Sequence, residues 1–206
     1  ISYPPSSVAR TQQEAAEVAR RIGYPLVIRP SYVLGGRGMG IVYGDEDLAA
    51  YMASATHVTP ERPVYLDAFL EDAIELDVDA LADGRECYVG SVLEHIEECG
   101  IHSGDSACCW PPFSLSDAIV GRVRDTTRRL ALACGIHGPL NVQFAIRDEQ
   151  VFVIELNPRA SRTVPFSSKA TTVPLAQCAA RIMAGETIES LRLEGILPSE
   201  GCGAGY

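Results

Sequence analysis

Three side chains in the C-terminal half of the sequence have the types and spacing to hold a cation. Glu155 and Asn157 close the apolar, β-branched run Val151-Phe-Val-Ile-Glu-Leu-Asn-Pro-Arg159. A strand that merely fills a core should end in turn residues, and burying a carboxylate there is costly. In an extended segment residues two apart share a face, so Glu155 and Asn157 can address one object. Upstream, Leu140-Asn-Val-Gln-Phe-Ala-Ile146 reads as a second strand, joined through the polar turn Arg147-Asp-Glu-Gln150. A three-residue connection puts Gln143 across the ladder from Glu155. One carboxylate and two amide oxygens, with open positions left over, suit Mg²⁺ carrying a polyphosphate. Arg159, Arg162 and Lys169 follow to meet the phosphates and an acceptor. Taken singly, each residue reads as structural: a solvated Glu at a strand end, an Asn-Pro turn. Their order behind a buried strand favours a site for an anionic ligand.

The elements that must position them can be read in outline. Thr11 and Glu14 form a capping box for a helix with Ala15, Val18, Ala19 and Ile22 on one stripe, stopped at Gly23. The entry 1–10 should be extended or frayed. Tyr24-Pro-Leu-Val-Ile-Arg-Pro30 is a short buried strand, whose Arg29 is equally a snorkelling edge residue or a ligand contact. Four glycines then fall within six residues, Gly35, Gly36, Gly38 and Gly40, before the strand Ile41-Val-Tyr43. Such a loop lets backbone N–H groups approach phosphate oxygens. It is not a P-loop, because the Gly-Lys-Ser/Thr ending and following helix are missing. With Arg29 before it and Arg37 within it, phosphate cover is the better reading than a plain turn.

A helix over 45–55 and a strand over 64–70 follow. Ile74-Glu-Leu-Asp-Val-Asp-Ala80 alternates strictly, which places Glu75, Asp77 and Asp79 on one face, read as a solvated acidic face. Asp83-Gly84 turns the chain so that 86–93 returns antiparallel. The segment 94–106 is polar, aperiodic and long enough to suggest a functional loop, and its histidines match no common metal spacing. A long helix over 114–134 should turn Ile119, Val123, Thr126, Leu130 and Ala133 inward, and another spans 173–185. The outline is α+β: a smaller α/β lobe to about Leu70, a larger antiparallel lobe over about 71–190 and a loose tail over 191–206. The ligand is expected in the cleft between lobes, facing the Gly-rich loop from one side and Glu155 and Asn157 from the other.

The 206 residues carry a formal charge of −10, which argues against a nucleic-acid surface or an anionic membrane as partner. No apolar run approaches membrane-spanning length and no signal peptide opens the sequence. The seven cysteines form no CxxC pair and sit mostly in apolar patterns, so they read as reduced core thiols of a cytoplasmic protein.

Several long motifs, in one order, carry a resemblance. Arg29-Pro-Ser-Tyr-Val-Leu-Gly-Gly36, Glu94-His-Ile-Glu97, Gly100-Ile-His-Ser-Gly-Asp-Ser106, Asn141-Val-Gln-Phe144 and Glu155-Leu-Asn-Pro-Arg-Ala-Ser-Arg162, running on to Ser168-Lys-Ala-Thr171, resemble the large chain of carbamoyl-phosphate synthase over nearly the whole sequence. That chain carries two ATP-grasp units. The forms Val33-Leu34, His102-Ser103 and Thr163-Val-Pro-Phe166 look more like the second, carbamate-phosphorylating unit than the bicarbonate-phosphorylating first. The resemblance implies an ATP-grasp fold, a ligase, and ATP with Mg²⁺ or Mn²⁺. It gives Gln143, Glu155 and Asn157 to the metals and Arg29 to the nucleotide phosphates. It gives the backbone of Ala68 and Leu70 to the adenine edge, Glu75 to the ribose, and Gly100, Ile101, His102 and Ser103 to the nucleotide border. Arg159 and Arg162 would steady the phosphoryl group and carbamate. Implied partners are the glutaminase chain and further large-chain domains, in arginine or pyrimidine synthesis. The basic residue that the family places upstream is absent, so the expectation is a fragment that binds ATP·Mg²⁺ weakly and turns over poorly alone. Other ATP-grasp enzymes, such as biotin carboxylases and amino-acid ligases, lack the Gly-Ile-His-Ser-Gly-Asp-Ser run, and a nucleotide-binding module inactive by itself is the competing class.

Overall fold

Local sequence signals set the first helix. Thr11 accepts from the Glu14 N–H (3.1 Å) while the Glu14 carboxylate reaches back to the Arg10 N–H (2.7 Å), starting α1 (Gln12–Ile22). The cap is therefore one residue wider than the box expected from the sequence, with Arg10 as the reciprocal donor. Gly23, at φ 91°, ends the helix. The computed structural model describes residues 1–31, 38–54 and 63–198. The chain divides into two compact units, Tyr3–Glu71 and Asp72–Tyr206 with Ile1–Ser2.

In the smaller unit, β1 (Ser6–Ala9), β2 (Leu26–Pro30), β3 (Gly40–Val42) and β4 (Val64–Ala68) form one sheet in the order β1-β4-β2-β3, and α2 (Asp45–Ser54) joins α1 beside it. The N-terminal entry takes the extended form of the two expected, with Ser6–Ala9 a paired strand, because fully buried Ala9 closes the sheet edge against Val64. β1, α1 and β2 form a split βαβ unit whose two strands flank β4. That insertion makes every neighbouring pair antiparallel, so the expected α/β lobe is α+β as well.

The larger unit is built on β5 (Ile74–Asp83), β6 (Cys87–His95), β7 (Cys108–Cys109), β8 (His137–Arg147) and β9 (Gln150–Asn157), ordered β7-β6-β5-β8-β9 and antiparallel throughout. One face is apolar. Leu76, Val78, Ala80, Val92, Leu140, Val142 and Phe144 pack against Ile119, Val123 and Ala131 of α3 (Asp117–Ala133). The helix buries Thr127 and Ala131, whereas Thr126 and Ala133 had been expected inside. Thr127 tolerates this because its hydroxyl returns a hydrogen bond to the Val123 carbonyl (2.9 Å).

On the opposite face, Leu81 and Tyr88 are covered by α5 (Leu175–Met183) and α6 (Ile188–Leu193), with Val164 of α4 (Val164–Thr171). The tail is thus not loose as far as residue 198: Ile188, Leu191 and Leu197 are buried, and Thr187 and Ser190 cap α6 reciprocally. The cysteines depart from expectation too. Cys87 and Cys178 are buried, Cys99, Cys108 and Cys109 are half-buried along the polar loop and edge strand, and Cys134 is exposed at a helix end. Cys202 lies outside the described residues.

Candidate functional site

Alternation along the strands decides what the rest of the face opposite α3 presents. Its register sets three cross-strand rows: Asn157, Asn141, Asp79 and Ser91; then Glu155, Gln143, Asp77 and Leu93; then Ala145 beside Glu75. His95 extends β6 past Glu94, which pairs with Leu76, and so comes beside Glu75 and Asp77. Gln143 does stand opposite Glu155, but not by way of a three-residue loop. Arg147 pairs with Gln150, so Asp148 and Glu149 make a two-residue turn with φ of 49° and 59°, and one residue is added later at a bulge where the register shifts between Gln143 and Phe144. Upstream of the bulge Val151 and Val153 pack on the α3 core; downstream Leu156 does so. The extra residue, Ile154, is what reverses the alternation and turns Glu155 and Asn157 to the face that carries Gln143 and Asn141.

The acids of β5 are not a solvated face, as the alternation had suggested. Asp77 is 3% exposed and Asp79 1%. His95, also buried, meets Asp77 through Nε2 at 2.9 Å, and its Nδ1 lies 3.4 Å from Glu75 Oε2, an ion-pair contact without hydrogen-bond alignment. Burial alone would lower the histidine's pKa, but the hydrogen bond to Asp77, with Cys108 and the nearby Glu75 carboxylate, outweighs it and carries the imidazolium up to about 11. Burial pushes the two carboxyls up, and their hydrogen bonds, led by His95, hold both below the usual carboxylate range. Asp77, His95 and Cys108 offer ligand atoms within 4.8 Å of one another. A 2.9 Å Nε2–Oδ2 separation fits a shared proton rather than an intervening ion.

The loop after β6 crosses this face. The Gly100 N–H and the Cys99 thiol both donate to Glu75 Oε1 at 3.1 Å. Burial first, then the hydrogen bond to Glu75 and its charge, push the Cys99 thiol up to about 12. Gly100 adopts φ 96°, which directs its N–H at the carboxylate. Ser103 Oγ accepts from Gln143 Nε2 (2.9 Å), so the Gln143 amide oxygen is left for another partner. His102 Nδ1 accepts from the Gly104 N–H (2.8 Å), and a Cβ on Gly104 would lie 2.5 Å from that nitrogen. Half-exposed Ile101 sits between these anchors. Arg162 Nη1 donates to the Gly104 carbonyl, and exposed Arg159 holds the Ala160 carbonyl at 3.2 Å. Lys169, on α4, is exposed.

Among the described residues no hydrogen bond or ion pair engages the Glu155 carboxylate or the Asn157 side chain. An unengaged carboxylate, an amide oxygen freed by Ser103 and a second amide in the adjoining row make an all-oxygen set that fits Mg²⁺. In the smaller unit Arg29 is not simply snorkelling. Its Nε is fixed on Asp67 at 2.6 Å, with its guanidinium carbon 6.0 Å from the Tyr65 ring centre, which leaves the outer nitrogens for a ligand. The Ala68 N–H is already taken by the Pro5 carbonyl (2.8 Å), and Leu70 is buried. Gly35 and Gly36 lie outside the described residues.

The family model for the ATP-binding domain of the carbamoyl-phosphate synthase L chain matches residues 1–191. The chain belongs to this family. Carbamoyl phosphate synthase large chains of Kineococcus radiotolerans and Mycobacterium tuberculosis H37Rv are 58% identical over 200 residues and 56% identical over 204 residues, covering 97% and 99% of this chain. The chain spans 18% of the length of these relatives. A biotin carboxylase from Campylobacter jejuni, solved as a β-γ-ATP complex, superposes with TM-score 0.79 over 98% of this chain and 45% of its own, at 18% identity. The biotin carboxylase domain of Hydrogenobacter thermophilus 2-oxoglutarate carboxylase, solved with MgADP, ADP and bicarbonate, gives 0.76 over 91% and 43%, at 21% identity. The fold of this chain is therefore ATP-grasp. Asp77, Asp79, His95 and Asp67 went unassigned from sequence. The signal was the matching parity of Asn141 and Gln143, whose neighbours across the ladder are Asp79 and Asp77.

Proposed function

We propose that this chain binds ATP with Mg²⁺, or Mn²⁺ in its place, and serves phosphoryl transfer in carbamoyl phosphate synthesis, phosphorylating carbamate. The observation that carries the reading is Gln143 opposite Glu155, one row from Asn157, with the carboxylate unengaged. These three residues would hold the metal, which when bound neutralises charge on the phosphate oxygens. Arg29, fixed by Asp67, is assigned to the phosphates, together with Gly35 and Gly36. The Ala68 carbonyl and Leu70 N–H are assigned to the adenine edge. Glu75 is assigned to the ribose hydroxyls, which would compete for the oxygen that now accepts from Gly100 and Cys99. Gly100, Ile101, His102 and Ser103 border the nucleotide in this reading.

Arg159 and Arg162 take up charge developing on the transferring group, and Asn157 fixes oxygen geometry beside them. No protein nucleophile is required. The carbamate assignment rests on the His102-Ser103 and Thr163-Val-Pro-Phe166 forms. Bicarbonate phosphorylation is the neighbouring reading, and a glutaminase chain with further large-chain domains would supply the ammonia and complete the synthesis. Isothermal titration tests the proposal. Chelating the metal and replacing Glu155→Gln should each weaken ATP binding by about tenfold or more, ~1.4 kcal/mol. Equal affinity with and without metal, in wild type and variant alike, would refute it.

A further inference from the structure

We infer that Asp79 is a positioning residue that sets the arginine pair of the site, an assignment that rests on the phosphoryl-transfer reading above. Asp79 is 1% exposed in the middle of β5. Its Oδ1 accepts from Ser161 Oγ (2.6 Å) and Asn141 Nδ2 (3.2 Å), and its Oδ2 from Thr163 Oγ1 (2.6 Å) and Ser167 Oγ (3.1 Å). All four donors are neutral, so the buried charge is carried by hydrogen bonds rather than by a counter-ion. A fold needing only a filled position there would do as well with an apolar residue.

What the carboxylate joins explains its presence. Ser161 and Thr163 flank Arg162, so the backbone of that arginine is pinned on both sides. The pin is itself braced, because Ser161 Oγ also accepts from the Thr163 N–H (3.0 Å). Arg159 lies two residues before Ser161. Ser167, fully buried in the first turns of α4, ties the helix to the same oxygen and to Ser91 Oγ (2.7 Å). Asn141 adds the ligand rows: its Nδ2 also reaches Asp77 Oδ1 (3.1 Å), and it pairs with Asn157 across the ladder. One carboxylate therefore references the arginine segment, the start of α4 and the proposed metal row to a central strand. Guanidinium groups that stabilise a transition state must be held before the reaction, and an error of about 1 Å costs on the order of a hundredfold.

The test compares Asp79→Asn with wild type in the full chain. Titration of MgATP should give affinities within about threefold, because Asn141 in the metal row keeps its bond to Asp77, while ATP turnover falls by about tenfold to a hundredfold. Trypsin should cut after Arg159 and Arg162 at least about tenfold faster, with cleavage elsewhere unchanged. In an Arg159→Ala/Arg162→Ala background the Asp79→Asn loss of turnover should disappear, since the changes act through the same pair. If Asp79→Asn fails to fold, Ser161→Ala is judged by the same readouts. Wild-type turnover in the variant, cleavage that rises everywhere together, or losses that add in full would overturn the positioning role. Wild-type protein that binds no MgATP would overturn the functional reading, and this role with it.

Discussion

A histidine held between two carboxylates inside a sheet face makes a pH-dependent contribution whose sign can be worked out. His95 titrates near 6.5 when free and is carried to about 11 in the fold. The group is raised, so its stabilisation is complete below pH 6.5 and is lost as pH climbs toward 11. Asp77 and Glu75 are depressed from 3.8 and 4.5, so theirs is present above those values and lost as pH falls through the lowered ones. The full effect therefore occupies the window between the carboxylates and the histidine, mildly acidic rather than neutral. Removing His95 leaves buried Asp77 and half-buried Glu75 without their counter-ion. His95→Gln should cost about 3–5 kcal/mol near pH 6 by urea denaturation. The gap to wild type should narrow steadily by about pH 9.5. A constant gap over that range would mean that His95 is neutral in the fold.

The hairpin of β8 and β9 shows what an element adds to its residues. Both strands, the turn and the Gln143–Glu155 pairing are legible in the sequence as apolar runs around Arg147-Asp-Glu-Gln150. The route to that pairing is not, because a two-residue turn with a bulge and a three-residue turn without one give the same partners. What distinguishes them is which apolar residues face α3, and a bulge leaves no mark in composition. The buried acids of β5 escaped for a related reason. Alternation shows that Glu75, Asp77 and Asp79 share a face, but whether that face is wet depends on residues 99–106 and 161–167, far along the chain. The turn itself is strained: Asp148 and Glu149 are both left-handed, a conformation that costs non-glycine residues about 1–2 kcal/mol each. Asp148→Asn with Glu149→Gly should stabilise the protein by about 1 kcal/mol and raise Tm by roughly 2–4 °C. The bond from Arg122 to the residue 149 carbonyl survives, since it is made to backbone. MgATP affinity should not change, because the turn lies at the opposite end of the hairpin from Asn157. A lower Tm in the melting curve would show that side-chain contacts of Asp148 or Glu149 outweigh the backbone strain.

At the scale of the molecule, each hydrophobic cluster falls within one unit: residues 9–66 around Leu26, Ile28 and Leu66 in the smaller, and the α3 and α5–α6 clusters in the larger. The tail was misread because Gly185, Gly195 and several acids interrupt a short pattern, although Ile188, Leu191 and Leu197 carry it. With that tail packed, the larger unit has a layer on both faces of its sheet and contains Gln143, Glu155 and Asn157, the proposed metal ligands. Residues 72–206 expressed alone should therefore fold cooperatively. The loss at the sheet edge is small: the Val153 N–H gives up the Ser2 carbonyl (2.9 Å), a bond worth about 1 kcal/mol net once water replaces it. Arg29 and the adenine-edge residues are absent from such a piece, so nucleotide affinity should drop while divalent-cation binding persists. Titration with Mn²⁺ should give an affinity within about threefold of the whole chain, weakened about tenfold or more by Glu155→Gln. A piece that melts cooperatively yet binds Mn²⁺ no better than its Glu155→Gln variant would remove the metal from these strands. A piece that does not melt cooperatively would show that the larger unit draws its stability from the smaller.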